Sequence, residues 1–456
     1  MKRWDVAVIG SGGAGLCSAI EARKLGATAL ILEAADDVGG STALSGGVVM
    51  AGGTQVQRAA GFEDSPDAFY DRYLVINRWS IEPSLARALC EDAASVLEWL
   101  IELGVGFDLL PRNSAEAMPR SHMAEGGGAK IARTLELEAL RLGAEIRTGC
   151  RVTSIDRDAE GWKLSLGAGD ETVNARRVVI ATGGIGASRE MLERYYPAAA
   201  AHGAHTWSVS APTCVGDGLK LGGDAGAGLT GHNQGLALIS PGFAQNFEVV
   251  PPAWLVFVNR EGQRYVDEKM PYSMLTETTH AQTGGSGFAI LDEATRLAWA
   301  PTDLTHQGVV SMDWNRESLA AYTKQGKLSV ADDLVKLAEG LGIDPAGLER
   351  TVANYNADCS AGRDTRFFKD PEWLRPLSTP PYYAAEIRPC LVALTCCGVR
   401  IDAQAQVLRT DGSIVPDLFA AGETTGGAMR QYGGSGNSIS NALVFGLRAG
   451  RRAATI

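Results

Sequence analysis

An α/β protein is predicted, with a doubly wound nucleotide-binding sheet split in sequence by an inserted α+β segment. Three features predict it: a strand, glycine turn, helix, strand, acid succession at the start; a glycine-closed apolar strand near residue 180; and a strand, glycine turn, helix succession at the end. The chain has 456 residues, enough for two or three domains at roughly 100–200 residues each, so its cores need no disulfide or metal staples. Glycine is the compositional outlier, with 55 residues, about 12% of the chain against a usual ~7%, which predicts many close backbone approaches.

Trp4 to Ile9 reads as a short buried strand. Gly10-Ser11-Gly12-Gly13-Ala14-Gly15 follows and opens an apolar helix from Leu16 to Leu25; a second strand from Thr28 to Leu32 ends on Glu33. Glu33 lies 18 residues past Gly15, within reach of ribose hydroxyls. Gly10 suits the tight turn, Gly12 the approach of a pyrophosphate, and Gly15 close packing of helix on strand. The helix start supplies N–H donors and partial positive charge to phosphate.

Ala68 to Leu103 reads as helical, Arg147 to Ile155 and Trp162 to Leu166 as strands, and Val178 to Gly184 as a further buried strand. Glu125 and the glycines 126–128 read as a loop near the nucleotide with a solvated acid. After Gly231 the chain becomes richer in proline, with helices expected at Leu328 to Leu341 and Pro345 to Asn356. The division expected is 1–235 for the first part of the nucleotide-binding domain, 236–384 for an inserted catalytic domain, and 385–456 for the return.

Forty-two basic against 53 acidic residues give a net charge of −11, which opposes a nucleic-acid partner or attraction to anionic lipid. Eight cysteines without a CxxC pair, and six scattered histidines, argue against a metal site and for reduced thiols. Adjacent Cys396 and Cys397 read as small buried residues. No apolar run reaches the ~18 residues of a membrane span, and Val6 to Ile9 is too short for a signal-peptide core. A cytoplasmic location, at most peripheral to a membrane, is expected.

The segment after Glu33–Ala34 narrows the nucleotide. Asp37 to Gly47 is rich in small and hydroxyl residues suited to a flat ring and its phosphates, and Leu418 to Glu423 is a strand finishing on Gly422-Glu423. Together with the first motif, Thr182-Gly183-Gly184, Gly216-Asp217-Gly218 and Asn259 to Glu268, these segments resemble FAD flavoproteins of the fumarate reductase and succinate dehydrogenase flavoprotein superfamily, over nearly the whole chain. The resemblance implies a Rossmann-like FAD-binding domain of the GR2 type with an inserted capping and catalytic domain. It also implies FAD contacts at Gly10, Gly12, Gly13, Ala14, Gly15, Glu33, Ala34, Gly40, Ser41, Thr42, Ser45, Gly46, Gly47, Val152, Ala181, Thr182, Gly183, Asp217, Gly422, Glu423, Asn437, Ser438 and Ile439. Gly40 stands where covalent members carry their flavin-attaching histidine, so non-covalent FAD is expected. There is no second GxGxxG unit for a nicotinamide, so electrons are expected to pass to a quinone or another external acceptor.

Dicarboxylate-reducing members hold their substrate with arginines and histidines. This chain reads Lys269-Met270-Pro271-Tyr272 and Ala393-Leu394-Thr395-Cys396-Cys397-Gly398 at the corresponding places, which leaves His232 and Arg430 as candidate carboxylate binders. Pro271-Tyr272, Tyr432-Gly433-Gly434-Ser435-Gly436, Gly40 to Gly47 and Gly61 to Pro66 are more similar to the 3-ketosteroid dehydrogenases, including the Δ4-(5α) branch. That resemblance implies desaturation beside the carbonyl of a cyclic ketone, a 3-ketosteroid or a smaller cyclohexanone-type molecule. Tyr432 and the Gly436 N–H would polarise the carbonyl, Tyr272 would take the α proton, and flavin N5 would take the hydride. Tyr70 and Tyr73 are the candidates for a further active-site tyrosine, and Gly436, Asn437 and Ser438 also suit a helix start. Two alternatives stay open: an ene-reductase of unsaturated acids, and the flavoprotein subunit of an electron-transfer complex.

Overall fold

The computed structural model describes residues 2–110, 118–167, 169, 171–246, 251–298, 313–431 and 435–455. Its first sheet has eight strands, and the central run is parallel: Ile414–Ala420, Thr172–Ile180, Arg3–Ile9, Ala29–Leu32 and Glu145–Arg147 lie side by side. Their central stretches Val6–Ile9, Ala29–Leu32 and Val178–Ile180 are apolar and buried, as expected where a parallel strand is covered on both faces. Their register puts Ile9, Leu32, Ile180 and Ala420 at one carboxyl edge, where doubly wound sheets bind ligands.

The opening helix, Gly13–Lys24, and the final one, Asn437–Thr455, pack closely at small residues. A Cβ on Gly446 would meet the Ala14 carbonyl oxygen at 2.5 Å, and one on Gly450 would meet that of Ser18 at 2.2 Å. The Ser18 hydroxyl donates to the Gly446 carbonyl at 2.9 Å. The end of the chain therefore closes the domain begun by its first residues.

A second, six-stranded sheet is built around the long strand Tyr382–Thr395, flanked by Gly235–Pro241, Gly287–Asp292, Ser329–Ala331 and Trp207–Ser208. The boundary expected at 384/385 falls inside that strand, and Trp207–Ser208 brings an earlier segment into the same sheet, since unbroken backbone pairing carries more weight than a local composition shift. The helix Tyr272–His280 lies on this sheet, with the Thr276 hydroxyl donating to the Ala237 carbonyl at 2.8 Å. The turn ahead of it is fixed by buried charges: Glu268 accepts Arg264 at 2.7 Å and Lys369 at 3.0 Å, and Arg264 also reaches Asp364 at 2.7 Å.

Three local expectations are corrected. The helical stretch from Ala68 is two helices, Pro66–Ile76 and Pro83–Glu102, divided where Arg78 and Trp79 take positive φ. Leu328 to Leu341 begins as the strand Ser329–Ala331, and its helix starts only after the Asp333 cap, at Leu334–Leu341. The glycines after Glu125 are a helix start rather than a loop: Gly126 caps Gly127–Arg141, and Gly128 packs so tightly that a Cβ would meet the Thr42 carbonyl oxygen at 2.0 Å. Glu125 itself is exposed.

Candidate active site

The carboxyl edge of the first sheet opens into a cavity of about 620 Å³ that runs on to the second sheet. Gly10 turns the chain there with φ +103°, and a Cβ on it would lie 2.3 Å from the Ala181 carbonyl oxygen. Gly15 does not face the cavity; its missing Cβ lets the first helix rest on Gly10, whose carbonyl oxygen would be 1.9 Å away. Gly12 caps that helix without a side chain, and a Cβ there would meet only the Gly39 carbonyl oxygen, at 4.0 Å. The helix N-terminus therefore faces cavity space, as a diphosphate requires.

Glu33 is buried at the next strand end. It accepts the Ser11 N–H at 2.8 Å, the Ser11 hydroxyl at 2.6 Å and, on its other oxygen, the Ala35 N–H at 2.8 Å. A carboxylate has about four acceptor sites, so one remains for a ribose hydroxyl. Ala34, Cys150, Arg151 and Val152 continue this end of the wall, with Arg151 paired to Asp217 at 2.5 Å. Burial raises the Asp217 carboxyl above its usual range, against the pull of Arg151 and Lys220.

Toward the second sheet the wall is made by Gly40, Ser41, Thr42, Ser45, Gly46 and Gly47 on one side and Ala181, Thr182, Gly183, Gly422 and Glu423 on the other. Thr42 Oγ1 accepts the Gly13 N–H at 3.1 Å and so ties this loop to the first helix. Ser41 accepts the Ala211 N–H at 2.9 Å. Glu423 is half-buried at the cavity wall; desolvation holds its carboxyl above the usual range although it accepts the Thr395 hydroxyl at 2.7 Å and the Thr395 N–H at 2.9 Å. The donor-rich helix start, the ribose-side carboxylate and a loop mainly of glycine, serine and threonine, with Leu44 among them, fit an FAD laid across the sheet edge.

At the far end Tyr272 enters from the first turn of its helix, and its hydroxyl lies 3.5 Å from the Ser435 hydroxyl. Around them stand Leu236, Leu238, Val209, Ala393 and Met123. Among the described lining residues the one cation is Arg151, at the opposite end and already paired. His232 is exposed, with Nε2 on the Arg194 carbonyl at 3.1 Å, and stands outside this wall. Arg430 is also outside it, 3.3 Å from the Ser80 hydroxyl and 3.9 Å from Glu277, which pairs with Arg78 as well.

Tyr432 lies outside the described residues. Gly436 sits behind Ser435 with φ +109°, where a Cβ would meet the Met50 nitrogen at 2.7 Å. Ser438 and Ile439 reach the cavity, whereas Asn437 is buried at the helix start with neither side-chain polar atom hydrogen-bonded among the described residues. Tyr73 packs away from the cavity, its hydroxyl donating to the Ala428 carbonyl at 3.1 Å. Sequence reasoning missed Ser11, Ser210, Thr213, Cys214 and Ser435 at the wall. Of these, Ser11 inside the glycine turn and Ser435 inside the Tyr432 to Gly436 segment carried a local signal.

Fold and site together define a flavin-dependent oxidoreductase. Residues 5–439 match the FAD binding domain family, and the chain belongs to it, within the fumarate reductase and succinate dehydrogenase flavoprotein superfamily. FAD is its cofactor. It is 31% identical to a fumarate reductase (cytochrome) of Shewanella frigidimarina, over 99% of this chain and 77% of that protein. It is also 31% identical to a urocanate reductase of Eggerthella lenta, over 99% of this chain and 75% of that protein. Among solved structures, 3-ketosteroid-Δ4-(5α)-dehydrogenase from Rhodococcus jostii RHA1, in complex with 4-androstene-3,17-dione, superposes with a TM-score of 0.81 at 27% identity, covering 100% of this chain and 97% of that one. Members of this group act on CH–CH bonds. No described helix is long and apolar enough to cross a membrane.

Proposed function

We propose that the protein desaturates a neutral cyclic ketone, a 3-ketosteroid or a smaller cyclohexanone-type molecule, at the carbons α,β to its carbonyl. The observation that carries this reading is the pairing of Tyr272 with Ser435 in an apolar recess whose described lining holds no cation. A dicarboxylate would need at least one guanidinium or imidazolium there, because burying an unpaired carboxylate costs far more than a neutral carbonyl. A ketone needs only hydrogen-bond donors.

The division of labour follows from the acidity of the substrate. An α C–H is weakly acidic, so its removal is helped by donors aimed at the developing enolate oxygen. The Gly436 N–H and the Tyr432 hydroxyl take that role. Tyr272, as the phenolate, takes the α proton, and the Ser435 hydroxyl beside it offers the route by which that proton leaves. Bound FAD supplies the two-electron acceptor for the hydride lost from the β carbon. The alternation of Leu236 and Leu238 on one strand gives the substrate ring an apolar floor that excludes water. Gly40 offers no side chain for a bond to the flavin, which supports non-covalent binding, and a quinone or other external acceptor is the partner we assign for reoxidation.

A second reading has its own support: the 31%-identical relatives are reductases. In that direction Tyr272 would donate the proton to an enone or unsaturated acid. A dye-coupled screen decides between them. Turnover with saturated cyclic ketones and none with fumarate-like acids fits the proposal; dye-driven reduction of the acids, with the ketones inert, overturns it.

A further inference from the structure

The turn between the helices Pro66–Ile76 and Pro83–Glu102 grips the chain at Arg430. Asn77, fully buried, accepts the Arg430 N–H at 3.0 Å and donates to the Tyr73 carbonyl at 2.9 Å, and the Ser80 hydroxyl accepts Arg430 Nη1 at 3.3 Å. Glu277 stands later in the helix that Tyr272 begins, and its carboxylate is shared by Arg78 of the turn and by Arg430, the latter at 3.9 Å. We infer that Glu277 is a positioning residue for the reaction: through these two arginines it holds the helix of Tyr272 against the nucleotide-binding domain, and so fixes where the Tyr272 hydroxyl stands in the recess. The inference rests on the role given to Tyr272 in the ketone reading above.

Local preference does not account for the turn. Arg78 and Trp79 both take φ +54°, at a helix end where glycine is the usual residue. Trp79 is 66% exposed, so burial of its ring does not offset that strain. What the conformation achieves is the placement of Arg78 on Glu277 and of Asn77 and Ser80 on Arg430. Strained backbone of this kind persists where the surrounding contacts over-determine it. The helix of Tyr272 is also fastened to the second sheet, where the Thr276 hydroxyl donates to the Ala237 carbonyl at 2.8 Å, so the Glu277 pairs tie that sheet to the first domain. An isolated exposed ion pair contributes little, because ordering two long side chains offsets the attraction. Here Arg430 is ordered beforehand, by Asn77 at its backbone and Ser80 at its side chain, and one carboxylate serves two guanidinium groups. The three side chains are 28 to 51% exposed, which leaves their attraction open to screening by salt. For a proton acceptor the placement matters steeply: a shift of about 1 Å can cost up to ~10²-fold in rate.

The test compares Glu277→Ala, Arg78→Ala and the double variant in the FAD-loaded protein; alanine preserves the helix of Glu277. Cyclohexanone turnover is measured at about 0.05 and about 0.5 M salt, and amide hydrogen exchange is followed in peptides from residues 272–280, with residues 437–455 as the control. For Glu277→Ala at low salt we expect kcat to fall about fivefold with KM within about twofold, and exchange in 272–280 to quicken roughly tenfold. Exchange in 437–455, FAD content and melting temperature should stay close to wild type. The double variant should match Glu277→Ala, and raising the salt should bring wild-type kcat toward that of Glu277→Ala while leaving the variant unchanged. Unchanged kcat and exchange in Glu277→Ala, losses that add in the double variant, or a loss that follows FAD content and melting temperature overturns the inference and leaves the ketone reading intact. A wild-type protein that turns over no saturated ketone overturns the reading itself, and this inference falls with it.

Discussion

The Tyr272 hydroxyl lies 3.5 Å from the Ser435 hydroxyl, across a separation of 163 residues in the chain. Tyr272 begins a helix laid on the second sheet, while Ser435 precedes the helix that closes the first domain. The pair exists only when both parts are folded. On the proposed function it is also where the proton leaves.

Replacing Tyr272 with phenylalanine removes one hydroxyl and little volume. The variant should keep FAD and fold, and lose roughly 10²- to 10⁴-fold in kcat with a ketone substrate. Steady-state assay with a redox dye reads this directly. Near-normal turnover would exclude Tyr272 as the proton acceptor.

Glu33→Ala strips the acceptor from the Ser11 N–H, the Ser11 hydroxyl and the Ala35 N–H at once. With the glycine turn loosened and the ribose side of the site lost, FAD should bind roughly 10- to 100-fold more weakly. Recovery of free flavin fluorescence on dilution measures it, and an unchanged dissociation constant contradicts this role for Glu33.

Gly436→Ala puts a Cβ 2.7 Å from the Met50 nitrogen and 2.8 Å from the Val49 carbonyl carbon, both backbone atoms that cannot swing aside, at a φ of +109°. A destabilisation of about 3 kcal/mol is expected. Denaturant unfolding of the FAD-loaded protein should show a lower midpoint with an unchanged slope.

His122 is enclosed behind the same wall, with Nε2 2.9 Å from the Thr54 hydroxyl and Nδ1 2.9 Å from the Arg120 carbonyl. Burial holds its pKa down at about 4, below the usual 6.5. Between those values the unfolded chain binds a proton that the folded chain refuses, so stability is complete above pH 6.5 and declines as pH falls toward 4, by about 3 kcal/mol. His122→Gln should flatten that acid limb in denaturant unfolding measured from pH 7 to 4.5. A limb as steep as in wild type would exclude His122 as its source.

Much of the nucleotide cleft could be read from the sequence because its parts are local. The turn at Gly10, the helix behind it and Glu33 follow one another within one supersecondary unit, where strand and helix periods and glycine chemistry are all visible. The Asp37 to Gly47 loop and the Gly422-Glu423 strand end are short segments with their own composition. The recess at the other end is assembled from distance. Leu236 and Leu238 face the cavity because of a sheet register, and Ser435 reaches Tyr272 across 163 residues. Nothing in the residue types of Cys214 or Ser210 marks them as wall residues, although Cys214 stands just ahead of Gly216-Asp217-Gly218. Arg430 and His232 lie near other site segments in sequence, yet Glu277 and Ser80 beside the one and the Arg194 carbonyl at the other hold them elsewhere. Three glycines in succession, 126–128, suggest a loop, whereas here they let a helix start against Thr42 and Ser45.

The central claim is that a neutral carbonyl compound, held by hydroxyl and amide donors, gives up its hydrogens to this flavoprotein. Anaerobic titration of the FAD-loaded protein with saturated cyclic ketones tests it most directly. Loss of the oxidised flavin absorption together with formation of the matching enone is the predicted result, and fumarate should leave the dithionite-reduced protein unoxidised. Flavin unaffected by every ketone, with rapid reoxidation of the reduced protein by fumarate, would contradict the account.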